Sequence, residues 1–531
     1  MNLFNKKWLN LLIAILLILG VFFRFANLPQ KIYWKDEVFT LLRVSGYTEQ
    51  EVKEQIYNGQ ILSIQDLRKY QSPNPEKNII GTLKGLAKEE AQLPPLYFVM
   101  ARLWAQLFGS SIAVTRSLAV LLSLLAFPCV YFLCRELFNS SLVGWIAMAL
   151  MSVSPLYVLF AQEARPYSLW TLTSLLSSWV LLRALRVNTK MSWGIYALTA
   201  ILALYTSPFS LFLIIGHGIY VIAIERFHFN EIVRKYLFSF VAAIVAFSPW
   251  LAIIVLRLHQ IRGRTDWSNR PYEHGIIELV FNWFQNITLI FIDFQKLSFD
   301  FEYVISVNPF FYLVAVIPIL ALTGYSIYFI CRHTSKQIWL FILIWMGSTT
   351  LPLILPDLIL GGRRSGTTRY LLPFYLVIDI SVAYLLTIGI TSTSVNNWKQ
   401  KLGQITMVAL FSIGIWSCAN ISPKKLWWNH DPSRYIQNPD IAVLINQATN
   451  PLVITDVSWD KVMTLSYDLK SDVKFQLSSK DKIVKPAEGF SNYFLYQPSD
   501  DLKETLENNQ HYTIKPVYQA DAPWLWQLEK N

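Results

Sequence analysis

Residues 8–23 read WLNLLIAILLILGVFF, an almost uninterrupted apolar run directly after Lys6 and Lys7. A helix that crosses a bilayer needs about 20 predominantly apolar residues, and runs of this kind recur along the chain. Hydrophobic residues make up 53% and charged residues 15% of the 531 positions, which is more apolar than a soluble globular protein. The sequence therefore predicts a polytopic membrane protein. Because no small-residue cleavage site follows the first run, we interpret it as a retained span rather than a signal peptide.

Eleven apolar runs are candidate transmembrane helices. Two further runs, 94–109 and 276–294, carry charges, because Arg102 lies inside the first and Glu278 and Asp293 lie inside the second. We expect these two runs to form interfacial helices that lie along the membrane surface. The candidate spans are 8–24, 112–134, 141–160, 168–187, 192–206, 209–225, 235–257, 307–331, 337–356, 369–390 and 403–420.

The distribution of Lys and Arg predicts which loops face the cytoplasm. When the two interfacial runs are not counted as spans, the short loops rich in Lys and Arg all fall on one side, as the positive-inside rule requires. This places the N-terminus in the cytoplasm, and it accounts for the net charge of +11 without nucleic-acid binding. The regions predicted to lie outside are the first loop 24–111, the turn 161–167, the middle segment 258–306, the loop 357–368 and the C-terminal residues 421–531.

The composition of the chain changes sharply after Trp427. The pattern there predicts a helix over 439–447 and strands over 451–455 and 472–477. We therefore expect a membrane module over 1–420, followed by a small soluble α/β domain over 421–531. The four cysteines lie in or at the ends of apolar runs, and their spacing indicates neither a metal site nor a disulfide framework.

Two adjacent carboxylates, Asp36 and Glu37, follow the first span in the stretch LPQKIYWKDEVF, residues 28–39. Their simplest interpretation is a pair of solvated charges in a loop, but carboxylates at the edge of a membrane also serve proton transfer. A second acid, Glu163, lies on the same predicted side. It could be the partner of an Arg165 side chain that reaches a lipid headgroup, or it could face Asp36 and Glu37 across an outer cavity.

An arginine-rich loop reads GGRRSGTTRY over residues 361–370. Arg363, Arg364 and Arg369 in an external loop violate the positive-inside pattern. Arginines bind phosphate oxygens with paired donors, and glycines let backbone N–H groups approach an anion, so we interpret the loop as a phosphate site. Binding to anionic headgroups without a catalytic role is the alternative. A weaker basic cluster around Arg264 belongs to the middle segment.

These features together indicate a reaction class. Carboxylates suit deprotonation of an acceptor, arginines suit a departing phosphate, and aromatic side chains suit sugar rings and isoprenoid chains. The chain shows no phosphate-binding P-loop, no dinucleotide glycine pattern and no H-E-x-x-H motif, so we predict no nucleotide cofactor. His217 lies in the middle of a span and is predicted to be packed and hydrogen-bonded. The aromatic residues assigned to the cavity are Tyr33, Trp34, Tyr97, Tyr157 and Tyr167.

The order of these motifs resembles that of the GT-C membrane glycosyltransferases. The closest similarity is to the branch of protein O-mannosyltransferases and the aminoarabinose transferase that modifies lipid A, glycosyltransferase families 39 and 83. The resemblance covers residues 1–420, and it rests on four motifs. They are the Asp-Glu pair at 36–37, LPPLY at 93–97, QEARPY at 162–167 and RYLLP at 369–373.

The resemblance implies a function and a set of roles. The donor would be a hexose or pentose on a polyprenyl phosphate, transferred with inversion to a lipid, glycan or protein acceptor, at the outer face of a bacterial inner (plasma) membrane. Asp36 matches the general base or acceptor-orienting acid, with Glu37 beside it, and Glu163 matches the second acid. A divalent cation would be held by Asp36 and Glu163, if one is used. Residues assigned to the donor are Arg165, Tyr167, Arg369, Tyr370, Arg363, Arg364, Tyr97 and Arg264.

One position departs from the family pattern, because Leu93 stands where many relatives carry His before the Pro-Pro pair. Three other functions remain open at this point. A lipid-linked sugar transporter or flippase would also use charged and aromatic membrane grooves, although the chain lacks the paired repeats that transporters often show. A polymer ligase of envelope biogenesis is the nearest catalytic alternative, and a non-catalytic assembly protein is the third.

Overall fold

The structure is a computed structural model that describes residues 6–293, 309–391, 397–427, 435–479, 484–509, 512–518 and 524–530. The end of the predicted middle segment, 294–306, and the first residues of the predicted span 307–331 lie outside these ranges. The helices are α1 Lys6–Phe25, α2 Lys35–Ser45, α3 Glu49–Ile56, α4 Ile64–Arg68, α5 Ile79–Glu89, α6 Leu96–Phe108, α7 Ile112–Phe138, α8 Ser141–Ser152, α9 Pro155–Ala161, α10 Tyr167–Val187, α11 Lys190–Thr206, α12 Ser210–Ile224, α13 Glu231–Leu256, α14 Leu258–Thr265, α15 Gly275–Thr288, α16 Pro309–His333, α17 Lys336–Leu360, α18 Leu372–Thr391, α19 Asn397–Ile421, α20 Asn438–Gln447, α21 Trp459–Ser466 and α22 Asp500–Glu504. The strands are β1 Ile61–Ser63, β2 Pro451–Thr455, β3 Lys474–Leu477, β4 Asn492–Tyr496, β5 Tyr512–Tyr518 and β6 Leu525–Lys530.

The chain forms two compact units. The first, which we call the helical unit, contains residues 1–29, 90–97 and 116–424. The second, which we call the sheet unit, contains residues 30–89, 98–115 and 425–531. The first loop and the C-terminal segment therefore fold together in one unit, although they are separated by more than 300 residues of sequence.

Within the described part of the helical unit, eight helices are long and apolar enough to cross a membrane, or nine if the bent pair α8–α9 counts as one span. Of the eleven predicted spans, the other two form the helices α11 and α12, with 17 and 15 residues. At 1.5 Å per residue, α12 is about 22 Å long, shorter than a hydrocarbon core of about 30 Å. The prediction of a polytopic all-α membrane part with a small C-terminal sheet is confirmed.

The α8–α9 pair bends by 63°, and its sequence explains why. Pro155 has no N–H group, so the carbonyl of Met151 loses its partner in the helix. The Arg24 guanidinium, which is fully buried, donates to the Met151 carbonyl at 3.1 Å and to the Ser152 carbonyl at 2.8 Å. A buried cation at the end of α1 thus satisfies the carbonyl groups that the break exposes.

His217 on α12 lies in a buried polar cluster. Its Nε2 atom is 3.1 Å from the Ser178 hydroxyl and its Nδ1 atom is 3.1 Å from the Tyr196 hydroxyl. Both ring nitrogens therefore have hydrogen-bond partners on neighbouring helices. The prediction that His217 is packed and hydrogen-bonded is confirmed.

The sheet unit contains a six-stranded sheet in the order β1-β3-β2-β4-β6-β5. The three strands β3, β2 and β4 are parallel, and the remaining neighbours pair antiparallel. The predicted helix 439–447 and strands 451–455 and 472–477 correspond to α20, β2 and β3. The edge strand β1 comes from the first loop, where Leu62 pairs with Phe475.

Candidate active site

The turn between α9 and α10 holds the QEARPY motif. Gln162 through Arg165 are buried, and the Gln162 amide donates to the carbonyl groups of Phe23 at 2.8 Å and Ala26 at 2.9 Å. These hydrogen bonds attach the turn to the end of α1. Because Gln162 is fixed in this way, the residues that follow it in the turn are held in a defined position.

Glu163 is 2% exposed, and Arg165 and Tyr167 are each 7% exposed. The Arg165 guanidinium lies 5.8 Å above the centre of the Tyr167 ring, which in turn packs edge-on against Phe160. A side chain that reaches for lipid headgroups keeps its charged end in water, whereas this guanidinium is buried. Burial of both charged groups is costly, so it favours a functional role over simple headgroup contact.

Tyr97, assigned from the LPPLY motif, is fully buried in the helical unit. The segment just before it is held by the Trp250 indole, whose N–H donates to the Ala91 carbonyl at 3.1 Å. Pro94 and Pro95 lead directly into α6. The motif therefore forms a rigid entry to α6.

The arginine-rich loop is organised by a buried acid, Asp357, near the end of α17. Its carboxylate accepts from the Arg364 guanidinium at 2.8 Å, from the Ser365 N–H at 2.6 Å and from the Ser365 hydroxyl at 2.8 Å. Arg364 also donates to the Asn269 side chain. The guanidinium of Arg364 therefore contributes to folding the loop.

The Arg363 guanidinium also contributes to folding the loop. Its guanidinium donates to the carbonyl groups of Arg270 at 3.1 Å and Pro271 at 2.9 Å, and it lies 4.9 Å above the Tyr272 ring. The Tyr272 hydroxyl would lie only 2.6 Å from a Cβ atom at Gly366, so glycine is required there. The loop is thus tied to residues 269–272 along its length.

Arg369, the third arginine of the loop, lies beside aromatic side chains. Its half-buried guanidinium lies over two aromatic rings, 5.6 Å from the centre of Trp267 and 5.7 Å from that of Tyr370. Tyr370 also packs against Phe209 at 5.2 Å. Aromatic faces attract and orient a cation, so these rings fix the direction of Arg369. The remaining assigned arginine, Arg264, is exposed on α14, a helix with no buried residue.

Replacing Asp357 with Ala should destabilise the loop. The change leaves the Arg364 guanidinium and the Ser365 N–H without this acceptor, which costs about 1–3 kcal/mol. A lower thermal unfolding midpoint of the purified protein would show the effect. The matched control is Glu231→Ala, which removes an exposed ion pair with Lys235 and should not change the midpoint measurably. Equal midpoints for the two variants would contradict the role given to Asp357.

Asp36 and Glu37 lie in the first turn of α2, in the sheet unit. The helix dipole makes a helix N-terminus a favourable place for carboxylates. Glu37 is completely buried, whereas Asp36 is partly exposed. The two neighbours therefore occupy different environments.

The structure places all the assigned residues except Tyr97 and Arg264 in three groups. Glu163, Arg165 and Tyr167 share one turn, and Arg363, Arg364, Arg369 and Tyr370 share one loop, all in the helical unit. Asp36 and Glu37 belong to the sheet unit. Sequence reasoning gave no role to Asp357 and Trp267, which organise the loop; a single acid in an apolar helix, seven residues before an arginine, was the available signal for Asp357. Within the described ranges, no group of three or more His, Cys, Asp or Glu residues is arranged to hold a metal ion.

Comparisons with known proteins agree with this architecture. A family model described as dolichyl-phosphate-mannose-protein mannosyltransferase matches residues 92–253, which include the LPPLY and QEARPY motifs. A search of curated protein sequences returns no match.

Two solved structures share the fold. ArnT from Cupriavidus metallidurans in the apo state superposes with a TM-score of 0.51 at 12% identity, covering 98% of this chain and 98% of that one. The oligosaccharyltransferase of Archaeoglobus fulgidus, tethered with an acceptor peptide containing the NVT sequon via a disulfide bond, superposes with a TM-score of 0.51 at 11% identity. That match covers 96% of this chain and 69% of the other. The chain therefore shares the fold of these two proteins, and its residues 92–253 are similar to the dolichyl-phosphate-mannose-protein mannosyltransferase family.

Proposed function

We propose that the protein transfers a sugar from a polyprenyl-phosphate donor to an acceptor, with inversion at the anomeric carbon and with Asp36 as the general base. The observation that carries the proposal is the contrast in the first turn of α2, where Asp36 is partly exposed and Glu37 is buried. A base must come within hydrogen-bond reach of the proton that it removes, and a partly exposed carboxylate meets that need. The description of the matching family names dolichyl-phosphate-mannose, which supports a donor for this protein in which the sugar is linked to a lipid phosphate.

In the proposed reaction, a hydroxyl or amine of the acceptor attacks the anomeric carbon of the sugar. Its proton passes to the Asp36 carboxylate, and the bond between the anomeric carbon and the phosphate oxygen breaks. The polyprenyl phosphate leaves with the electron pair of that bond. Arg369 stabilises the negative charge on the phosphate, because its orientation is set in advance by Trp267 and Tyr370.

Two further assignments belong to the proposal. Glu163 and Arg165, buried in the turn before α10, would orient the sugar or the acceptor with Tyr167. The reaction would take place on the extracytoplasmic face of a bacterial inner membrane, and residues 421–531 would lie on the same face. The positive-inside distribution of Lys and Arg supports this orientation.

A transfer assay with purified protein tests the proposal. The protein in lipid nanodiscs would be incubated with a radiolabelled polyprenyl-phosphate sugar and a mixture of lipid, glycan and peptide acceptors. We expect label in an acceptor and release of unlabelled polyprenyl phosphate. Movement of the labelled lipid between the leaflets of proteoliposomes without any transfer would contradict the proposal and favour a flippase. Transfer of whole oligosaccharide chains in place of single sugars would favour a polymer ligase.

A further inference from the structure

The short segment 32–39, which contains the acid pair, is held on both sides by the C-terminal part of the sheet unit. Just before the pair, the Ile32 N–H donates to the Lys425 carbonyl at 2.9 Å. Ile32 and Trp34 are buried against Tyr435, with Leu426 at the edge of the cluster. These contacts join residues that are nearly 400 positions apart in the sequence.

The N-terminus of α2 receives its cap from the same C-terminal part. The first four N–H groups of a helix have no partner within the helix, and the N-cap residue Trp34 makes no side-chain capping bond. The Lys35 N–H instead donates to the hydroxyl of Tyr435 at 3.2 Å. Tyr435 thus completes the helix end on which Asp36 and Glu37 lie.

A second set of contacts lies on either side of the acids. The Phe39 ring packs against the ring of Trp459 at 4.9 Å, and the Tyr33 ring packs against Tyr467 at 4.9 Å. Trp459 begins α21 and is 2% exposed. Tyr33 also donates its hydroxyl to the Glu37 carbonyl at 3.3 Å. The helix α21, which belongs to the C-terminal part of the chain, therefore packs against the first turns of α2.

We infer that residues 425–427 and 435–467 position the acid pair for catalysis, with Tyr435 and Trp459 as the main positioning residues. The inference rests on the proposed role of Asp36 as the base. A carboxylate that must reach an acceptor proton is sensitive to displacements of about 1 Å. Because α2 is held at its N-terminus by Tyr435 and along its side by Trp459, loss of either contact would displace Asp36 without removing any group that touches the substrate. The C-terminal segment would then be a working part of the active site rather than a separate appendage.

The test uses the full-length protein in nanodiscs and compares two variants, each of which replaces one tryptophan with alanine. Trp459→Ala removes the contact with Phe39. Trp526→Ala, the control, removes a tryptophan of β6 that packs against the Leu452, Ile454 and Leu495 cluster. We expect Trp459→Ala to lower kcat by about 10- to 100-fold with the donor KM within about twofold of wild type, and Trp526→Ala to keep kcat close to wild type. Trp459→Phe, which restores a ring, should recover most of the activity.

A purely structural role for Trp459 would give a different result. In that case Trp459→Ala and Trp526→Ala would reduce activity in proportion to the fraction of folded protein, with kcat per folded molecule unchanged, and the inference would be overturned. Tyr435→Phe provides an independent test, because it removes only the hydroxyl that caps Lys35. An unchanged kcat for both Trp459→Ala and Tyr435→Phe would likewise overturn it.

A double variant separates this inference from the proposed function. If Trp459 acts through Asp36, then Trp459→Ala should reduce the residual rate of Asp36→Asn much less than it reduces the wild-type rate. Equal reductions in the two backgrounds would contradict positioning while leaving the role of Asp36 intact. Transfer at near wild-type rate by Asp36→Asn alone would instead remove the proposed base, whatever the result for Trp459.

Discussion

Asp36→Asn is expected to lower the rate of sugar transfer by about three orders of magnitude, while the protein stays folded in the membrane. General base catalysis contributes about 10²–10⁴-fold to a reaction, and the amide of Asn cannot accept the acceptor's proton. The size and packing of the side chain hardly change, and Asp36 is only partly buried. Single-turnover rates with a polyprenyl-phosphate sugar would measure the chemical step directly.

Two other carboxylates serve as comparisons for Asp36. Glu54 lies on α3 in the same unit, is exposed and accepts a hydrogen bond from the Gln50 amide, so Glu54→Gln should transfer at the wild-type rate. Glu37 is fully buried, and Glu37→Gln should lower the unfolding midpoint as well as the rate. If Glu37→Gln abolishes transfer and Asp36→Asn does not, the roles of the two acids are reversed.

Arg369→Ala is expected to lower kcat/KM for the donor by about two orders of magnitude. The guanidinium carries a positive charge beside the proposed phosphate, and charge-assisted bonds to phosphate are among the strongest that a side chain makes. Arg369→Lys should recover only part of the loss, because an ammonium group keeps the charge but lacks the planar shape that stacks on Trp267 and Tyr370. Steady-state kinetics with varied donor concentration would separate the effect on KM from that on kcat.

A second arginine variant, Arg186→Ala, is the control for the loss of a positive charge outside the arginine-rich loop. Arg186 is exposed and pairs with Glu136 at the end of α10, so Arg186→Ala should leave donor kinetics unchanged. The loss in Arg369→Ala should also diminish with a donor analogue that lacks the phosphate charge. An equal loss with charged and uncharged analogues would show that Arg369 does not bind phosphate.

The membrane helices and several elements of the sheet unit could be predicted, because the sequence pattern of each one lies within its own short segment. The apolar runs predicted the membrane helices, and the sequence pattern after Trp427 predicted α20, β2 and β3 at nearly their observed bounds. The close pair of predicted spans 192–206 and 209–225 corresponds to α11 and α12 to within two residues at each end.

Pairings between distant segments had no comparable signal. The strand β1 contains only three residues, and nothing in Ile61–Ser63 indicates a partner more than 400 positions later. The same holds for the contacts of Tyr435 and Trp459 with α2. Such contacts depend on the whole fold, since the chain order says nothing about which distant surfaces meet.

The sequence alone determined that this chain is a helical membrane protein whose acids, arginines and aromatic residues follow an order that resembles the GT-C glycosyltransferases, because composition and short motifs are properties of the chain itself. Only the tertiary structure distinguished residues of equal chemistry. Successive positions on a helix point about 100° apart, so packing buried Glu37 and left Asp36 partly exposed. Likewise, Asp357 and nearby carbonyl groups hold Arg364 and Arg363, while Trp267 and Tyr370 orient Arg369.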